Sequence, residues 1–105
     1  MVKAVTDKAE FEALKKGSKP LVVDFTATWC GPCQRIGPKF VEFAALDVYQ
    51  GLEFIKIDVD DAEDISQACG VEAMPTFQVY KDGVKVGELS GANEEKLKEL
   101  LDKYK

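Results

Sequence analysis

Trp29-Cys30-Gly31-Pro32-Cys33 is the stretch from which the fold is read. Two cysteines separated by two residues can close a small disulfide ring, hold a metal or present a reactive thiolate. Leu21-Val22-Val23-Asp24-Phe25, just before them, reads as a buried strand. The segment from Pro32 to Tyr49 has a helical period. The pair therefore sits where a strand ends and a helix begins, with Cys30 just outside the first turn. Free amide N–H groups and the positive end of the helix dipole stabilise a thiolate at such a position. Proline is well tolerated in a first helical turn, so Pro32 fits this placement. A Cys-x-x-Cys beside a strand–helix–strand pattern reads as a redox motif.

The remaining composition narrows the chemistry. At 105 residues and 46% hydrophobic, the chain suffices for one domain, residues 1–105, with a core that needs no structural staple. No apolar run approaches the roughly 20 residues of a membrane span. The start, Met1-Val2-Lys3-Ala4-Val5, has neither an apolar signal core nor a basic targeting run, so a cytoplasmic location is expected. Thiols are kept reduced there. A net charge of -5 argues against nucleic acid and against anionic membranes as partners. With 3 cysteines and no histidine, every Cys/His hydrolase mechanism and most zinc sites are excluded.

Taken in order, residues 1–5 read as a short edge strand. Thr6 or Asp7 caps a helix to about Lys16, with Phe11 and Leu14 inward and Gly17 in a helix-stop position. Leu21 to Thr26 is apolar on both faces, as a central strand covered on both sides should be. After Cys33, the residues Ile36, Phe40, Phe43 and Ala44 fall on one helical stripe. Gly37-Pro38 either kinks this helix or marks its true start. Gly51 ends the segment, and Leu52 to Val59 is the next strand. Asp60 or Asp61 caps a short helix presenting Ala62, Ile65 and Cys69 on one face, and Gly70 stops it. Thr76 to Lys81 and Val84 to Leu89 alternate across Asp82-Gly83, a strong hairpin signal. Asn93 caps a last helix with Leu97, Leu100, Leu101 and Tyr104 inward. The order βαβαβαββα implies an α/β fold: parallel crossovers, a final antiparallel hairpin, and a mixed five-stranded central sheet with helices on both faces.

Trp29-Cys30-Gly31-Pro32-Cys33, with Asp24 upstream and Met74-Pro75-Thr76 downstream, closely resembles the thioredoxin family. The Ala27-Thr28-Trp29-Cys30 approach and the Phe77, Gly87, Ser90-Gly91-Ala92-Asn93 ending look like its cytosolic eukaryotic type. The resemblance covers essentially the whole chain. It implies the thioredoxin fold and protein-disulfide reductase activity through a redox-active Cys30–Cys33 disulfide, with no other cofactor bound and no metal. Cys30, expected at the exposed edge, would be the attacking thiolate, and Cys33 the buried resolving thiol. Cys30 would form a mixed disulfide with the substrate, and Cys33 would then displace reduced substrate.

Other residues carry two readings each. Asp24 interrupts an apolar run. On an edge strand it would be an exposed charge; on a doubly covered strand it is buried, with a raised pKa. The resemblance implies a proton acceptor for Cys33. Lys56, in Phe54-Ile55-Lys56-Ile57, resembles the family lysine near that aspartate, though a lysine snorkelling at a strand edge fits the residues as well. Pro75 blocks the first residue of a strand, and only the resemblance makes its peptide bond cis. By the same resemblance Trp29, Gly31, Pro32, Met74, Pro75, Gly91 and Ala92 form an apolar substrate-docking surface; core packing is the other reading of Trp29. Cys69 reads as a half-buried core cysteine, with a regulatory thiol as the sharper option. The cluster Asp58, Asp60, Asp61, Glu63 and Asp64 reads as a solvated loop and helix start that can bias partner choice toward basic surfaces.

The expected partners are an NADPH-dependent flavoprotein thioredoxin reductase and oxidised protein substrates such as peroxiredoxins and reductases. The protein is expected to be a monomer. The rival class is a binding module that uses the same fold as a subunit or adaptor, and catalytic turnover separates the two.

Overall fold

A computed structural model describes residues 1–105. Strands β1 (Val2–Ala4), β2 (Leu21–Thr26), β3 (Glu53–Asp58), β4 (Thr76–Lys81) and β5 (Val84–Ser90) form one sheet in the order β1-β3-β2-β4-β5. The first three strands run parallel, while β4 and β5 pair antiparallel. Helices α1 (Lys8–Lys15), α2 (Gly31–Ala44), α3 (Glu63–Ala68) and α4 (Glu94–Tyr104) complete the expected order.

The central strand explains the layering. Every residue of β2 from Leu21 to Phe25 is buried. Val22 joins Ile36, Phe40 and Phe43 of α2 and Leu97 and Leu101 of α4 in one apolar cluster. Leu21, Val23 and Phe25 join Phe11 of α1 and Ile65 of α3 in a second. Alternate side chains of one strand thus feed two cores, one on each sheet face. Phe40 anchors the first, its ring 5.5 Å from Phe54 and 5.6 Å from Phe77. Truncating such a residue to alanine costs about 3–5 kcal/mol.

The helical stripe continues through Pro38 without a break, so the true start is Gly31. The helix ends earlier than its period suggests. It stops at Ala44, and a separate 3-10 turn spans Asp47–Tyr49. The Gln50 side-chain amide donates to the carbonyls of Ala44 and Leu46, at 3.0 and 2.8 Å, satisfying groups that further helix would have used. Gly17 follows the C-cap of α1 but is not left-handed; that conformation belongs to Gly70, Gly83 and Gly91. Asp82, at φ 54°, and Gly83, at φ 82°, form the hairpin turn as expected.

The capping expected of Asp60 or Asp61 is not observed. Ala62 holds the N-cap position of α3 and makes no side-chain cap bond. Asp58 instead draws the turn together, its carboxylate accepting from Asp60 N–H at 2.9 Å. Cys69 lies just past α3, as its C-cap, and is half-buried. Asp7 and Asn93 cap α1 and α4 through their side chains as expected. No helix is long and apolar enough to cross a membrane.

Candidate functional site

The site forms at the end of the sheet where β2 and β3 finish and β4 starts. Thr26 pairs with Asp58, and Phe25 with Thr76. Chain leaving the carboxyl ends of β2 and β3 therefore meets chain entering β4, the place where open α/β sheets form their clefts. From β2 the backbone passes through Ala27-Thr28-Trp29 into α2.

Cys30 is the N-cap residue of α2, in extended backbone conformation. Its Sγ accepts from Cys33 N–H at 3.2 Å, as a serine or aspartate oxygen would at that position. Cys30 and Cys33 are joined as a disulfide with Cα atoms 5.3 Å apart. The exposure expected of Cys30 is small. Cys30 is 7% exposed against 2% for Cys33. The cause is tertiary: Met74 and Val59 pack against the two cysteines and Ala27, and the Met74 carbonyl oxygen lies 3.7 Å from Cys30 Sγ. Contacts from 44 residues away leave no local sequence signal.

The Met74–Pro75 bond is cis. Pro75 is buried and Met74 half-buried. The Pro75 carbonyl accepts from Gly91 N–H at 2.9 Å, and Gly91 holds φ at 101°. A residue with a side chain would be strained there, which accounts for glycine. Gly31, Pro32, Gly91 and Ala92 are exposed. Ala92 borders a shallow depression with Arg35 and Ile36, which ties it to the first turns of α2. Trp29 is 66% exposed, so it does not belong to the core. Its indole Nε1–H donates to Asp60 Oδ2 at 2.8 Å. Sequence reasoning missed this contact because the residues are 31 apart and Asp60 is one of several adjacent acids. It also missed Gln34, whose side-chain amide donates to the Ala27 carbonyl at 3.0 Å and braces the approach to Cys30.

Asp24 is 4% exposed, and its Oδ1 has no hydrogen-bond partner. Burial pushes its carboxyl up to about 7, partly opposed by the charge of Lys56. Lys56 is the register partner of Asp24 on β3 and is exposed. Both residues, together with Cys33, border a cavity of about 490 Å³ between β1, β3 and α2. Trp29, Met74, Pro75 and Gly91 do not border it. Cys33 thus stands between the exposed rim and the Asp24 cavity.

Cys69 differs in kind from the paired cysteines. Burial pushes its thiol up, which keeps it protonated and a poor nucleophile at neutral pH. No group of three or more His, Cys, Asp or Glu side chains is placed to hold a metal ion.

Comparison with known proteins gives the same family as this geometry. The Thioredoxin family model matches residues 1–103. A thioredoxin of Ophiophagus hannah is 54% identical over 106 aligned positions, covering 99% of each chain. The crystal structure of Malassezia sympodialis thioredoxin superimposes with a TM-score of 0.95 at 37% identity, over 98% of this chain and 92% of that one. A structure concerning thiol resolution in yeast mitochondrial 1-Cys peroxiredoxin by the glutathione and thioredoxin systems superimposes with a TM-score of 0.90 at 38% identity, over 97% and 94%. With its Cys-x-x-Cys pair closed as a disulfide at a helix N-terminus beside a cis-proline, the chain belongs to the thioredoxin family and is a protein-disulfide reductase working by dithiol–disulfide exchange.

Proposed function

We propose that Cys30 is the nucleophile, Cys33 the resolving thiol and Asp24 the proton acceptor, with residues 1–105 acting as one monomeric domain. The observation that carries this reading is the Cys33 N–H bond to Cys30 Sγ at the N-terminus of α2. In the reduced protein that N–H and the helix dipole favour the Cys30 thiolate. The thiolate attacks one sulfur of a substrate disulfide. The substrate S–S bond breaks, a Cys30–substrate disulfide forms, and the first substrate sulfur leaves as a thiolate that takes a proton from water. Cys33 then gives its proton toward Asp24 and attacks Cys30 Sγ. The second substrate sulfur leaves, and the Cys30–Cys33 disulfide holds the oxidising equivalent. Two electrons have passed to the substrate.

Asp24 suits the proton step because a base held at about 7 exchanges protons readily at neutral pH. Its cavity gives solvent a route to the carboxyl that a partner seated on the rim leaves uncovered. Lys56 modulates Asp24 by charge. Trp29, Gly31, Pro32, Met74, Pro75, Gly91 and Ala92 form the docking surface, with the exposed Trp29 as its largest apolar contributor. An NADPH-dependent flavoprotein thioredoxin reductase restores the dithiol, and peroxiredoxins and other oxidised proteins are the substrates. The family and the peroxiredoxin context of the yeast relative support these partners. The cytoplasm is the proposed compartment.

Two measurements on the reduced protein test the division of labour. Iodoacetamide should modify Cys30 well before Cys33. Cys33→Ser should accumulate a stable mixed disulfide on Cys30. Mass spectrometry placing either adduct on Cys33 or Cys69 would reverse the assignment.

A further inference from the structure

We propose that Asp60 is a positioning residue for substrate docking: its carboxylate pins the Trp29 indole edge and so holds the ring face ready for a protein partner. This rests on the reading of Trp29 as part of the docking surface. A side chain that is 66% exposed loses conformational freedom when a partner immobilises it, unless something has already fixed its orientation. The Asp60 carboxylate, 2.8 Å from indole Nε1, supplies that restraint and leaves the ring faces free.

The acceptor is itself held. Asp60 N–H donates to the Asp58 carboxylate at 2.9 Å, and Asp61 N–H donates to the Asp58 carbonyl at 3.0 Å. Val59 N–H donates to the Thr26 carbonyl at 2.9 Å, which ties this turn to the end of β2. Both ends of the Trp29–Asp60 bond therefore hang from the same pair of strand termini, paired at Thr26 and Asp58. Asp60 lies two residues before the N-cap position of α3, held by Ala62, so its carboxylate is free of any capping role.

The test compares Asp60→Ala, Asp60→Asn and Trp29→Ala with the unaltered protein. Trp29 is the only tryptophan, so indole fluorescence anisotropy reports its mobility directly. Asp60→Ala should lower the anisotropy of the reduced protein. It should also raise KM for a protein disulfide roughly 2- to 10-fold, the range of one hydrogen bond, with a smaller change for a small disulfide reagent. Asparagine keeps an oxygen acceptor and should restore most of both readouts. If Asp60→Asn behaves like Asp60→Ala, the charge rather than the hydrogen bond matters, and the positioning role fails. It fails equally if Trp29→Ala raises KM while Asp60→Ala does not. If Trp29→Ala leaves KM unaltered, the docking surface itself is wrong, and the inference falls with it. Circular dichroism on each variant separates these outcomes from misfolding.

Discussion

Asp24→Ala should stabilise the oxidised protein above neutral pH while slowing disulfide reduction. Asp24 is buried with an unpartnered Oδ1, and its carboxyl is raised from 3.8 to about 7, first by desolvation, with Lys56 opposing. The folded state therefore binds this proton more tightly than the unfolded chain does. Below the unfolded pKa of 3.8 the group costs nothing electrostatically. Between that value and about 7, stability falls by about 1.4 kcal/mol per pH unit. Above about 7 the whole cost, about 4 kcal/mol, persists. Alanine removes this cost and loses about 1 kcal/mol of packing. The variant should gain about 3 kcal/mol at pH 8, lose about 1 kcal/mol at pH 3, and cross the unaltered protein near pH ~4.5. Urea unfolding of both oxidised proteins from pH 3 to 9 measures the curves, and turnover measured in parallel reports catalysis. Parallel curves, or a variant that is less stable at pH 8 with undiminished turnover, would refute both the buried-acid and the proton-acceptor roles.

Three further outcomes follow from the same geometry. Lys56→Ala should raise the Asp24 midpoint above its value in the unaltered protein, because the positive charge that opposes the effect of burial is removed; carboxyl-carbon NMR titration would show it, and an unmoved midpoint would exclude Lys56 as a modulator. Cys69→Ser should leave turnover intact and cost about 1 kcal/mol, since a half-buried thiol against the α1–α3 core is replaced by a hydroxyl; loss of catalysis with the fold preserved would contradict this. Met74→Ala should raise KM for protein disulfides about fivefold, equivalent to about 1 kcal/mol, and less for a small disulfide. Equal losses on both would mean that Met74 only supports the cysteine pair it packs against.

How much of this was legible in the sequence depended on the range of the interactions involved. The doubly apolar Leu21–Phe25 run, the α2 stripe and the Asp82-Gly83 turn are local patterns, and each appears as read. Asp24 was readable as buried because its neighbours on both sides require a covered strand. The end of α2 was not readable, since it turns on a side-chain amide from Gln50 competing with a period that runs on to Tyr49. Neither Asp60 nor Asp61 caps α3, because the helix starts later, with Ala62 at its N-cap; the bond Asp60 makes instead, to Trp29 31 residues away, has no local signal. The shielding of Cys30 likewise comes from Met74 across the fold. The cis bond at Pro75 was implied by family resemblance alone.

The central claim is that this chain reduces protein disulfides catalytically through Cys30. The direct measurement is NADPH oxidation coupled to reduction of a protein disulfide, with a flavoprotein thioredoxin reductase and a small amount of this protein. Many disulfides should be reduced per molecule, and Cys30→Ser should abolish the coupled rate. A folded, unaltered protein that supports no turnover, or a Cys30→Ser variant that retains it, would contradict the account.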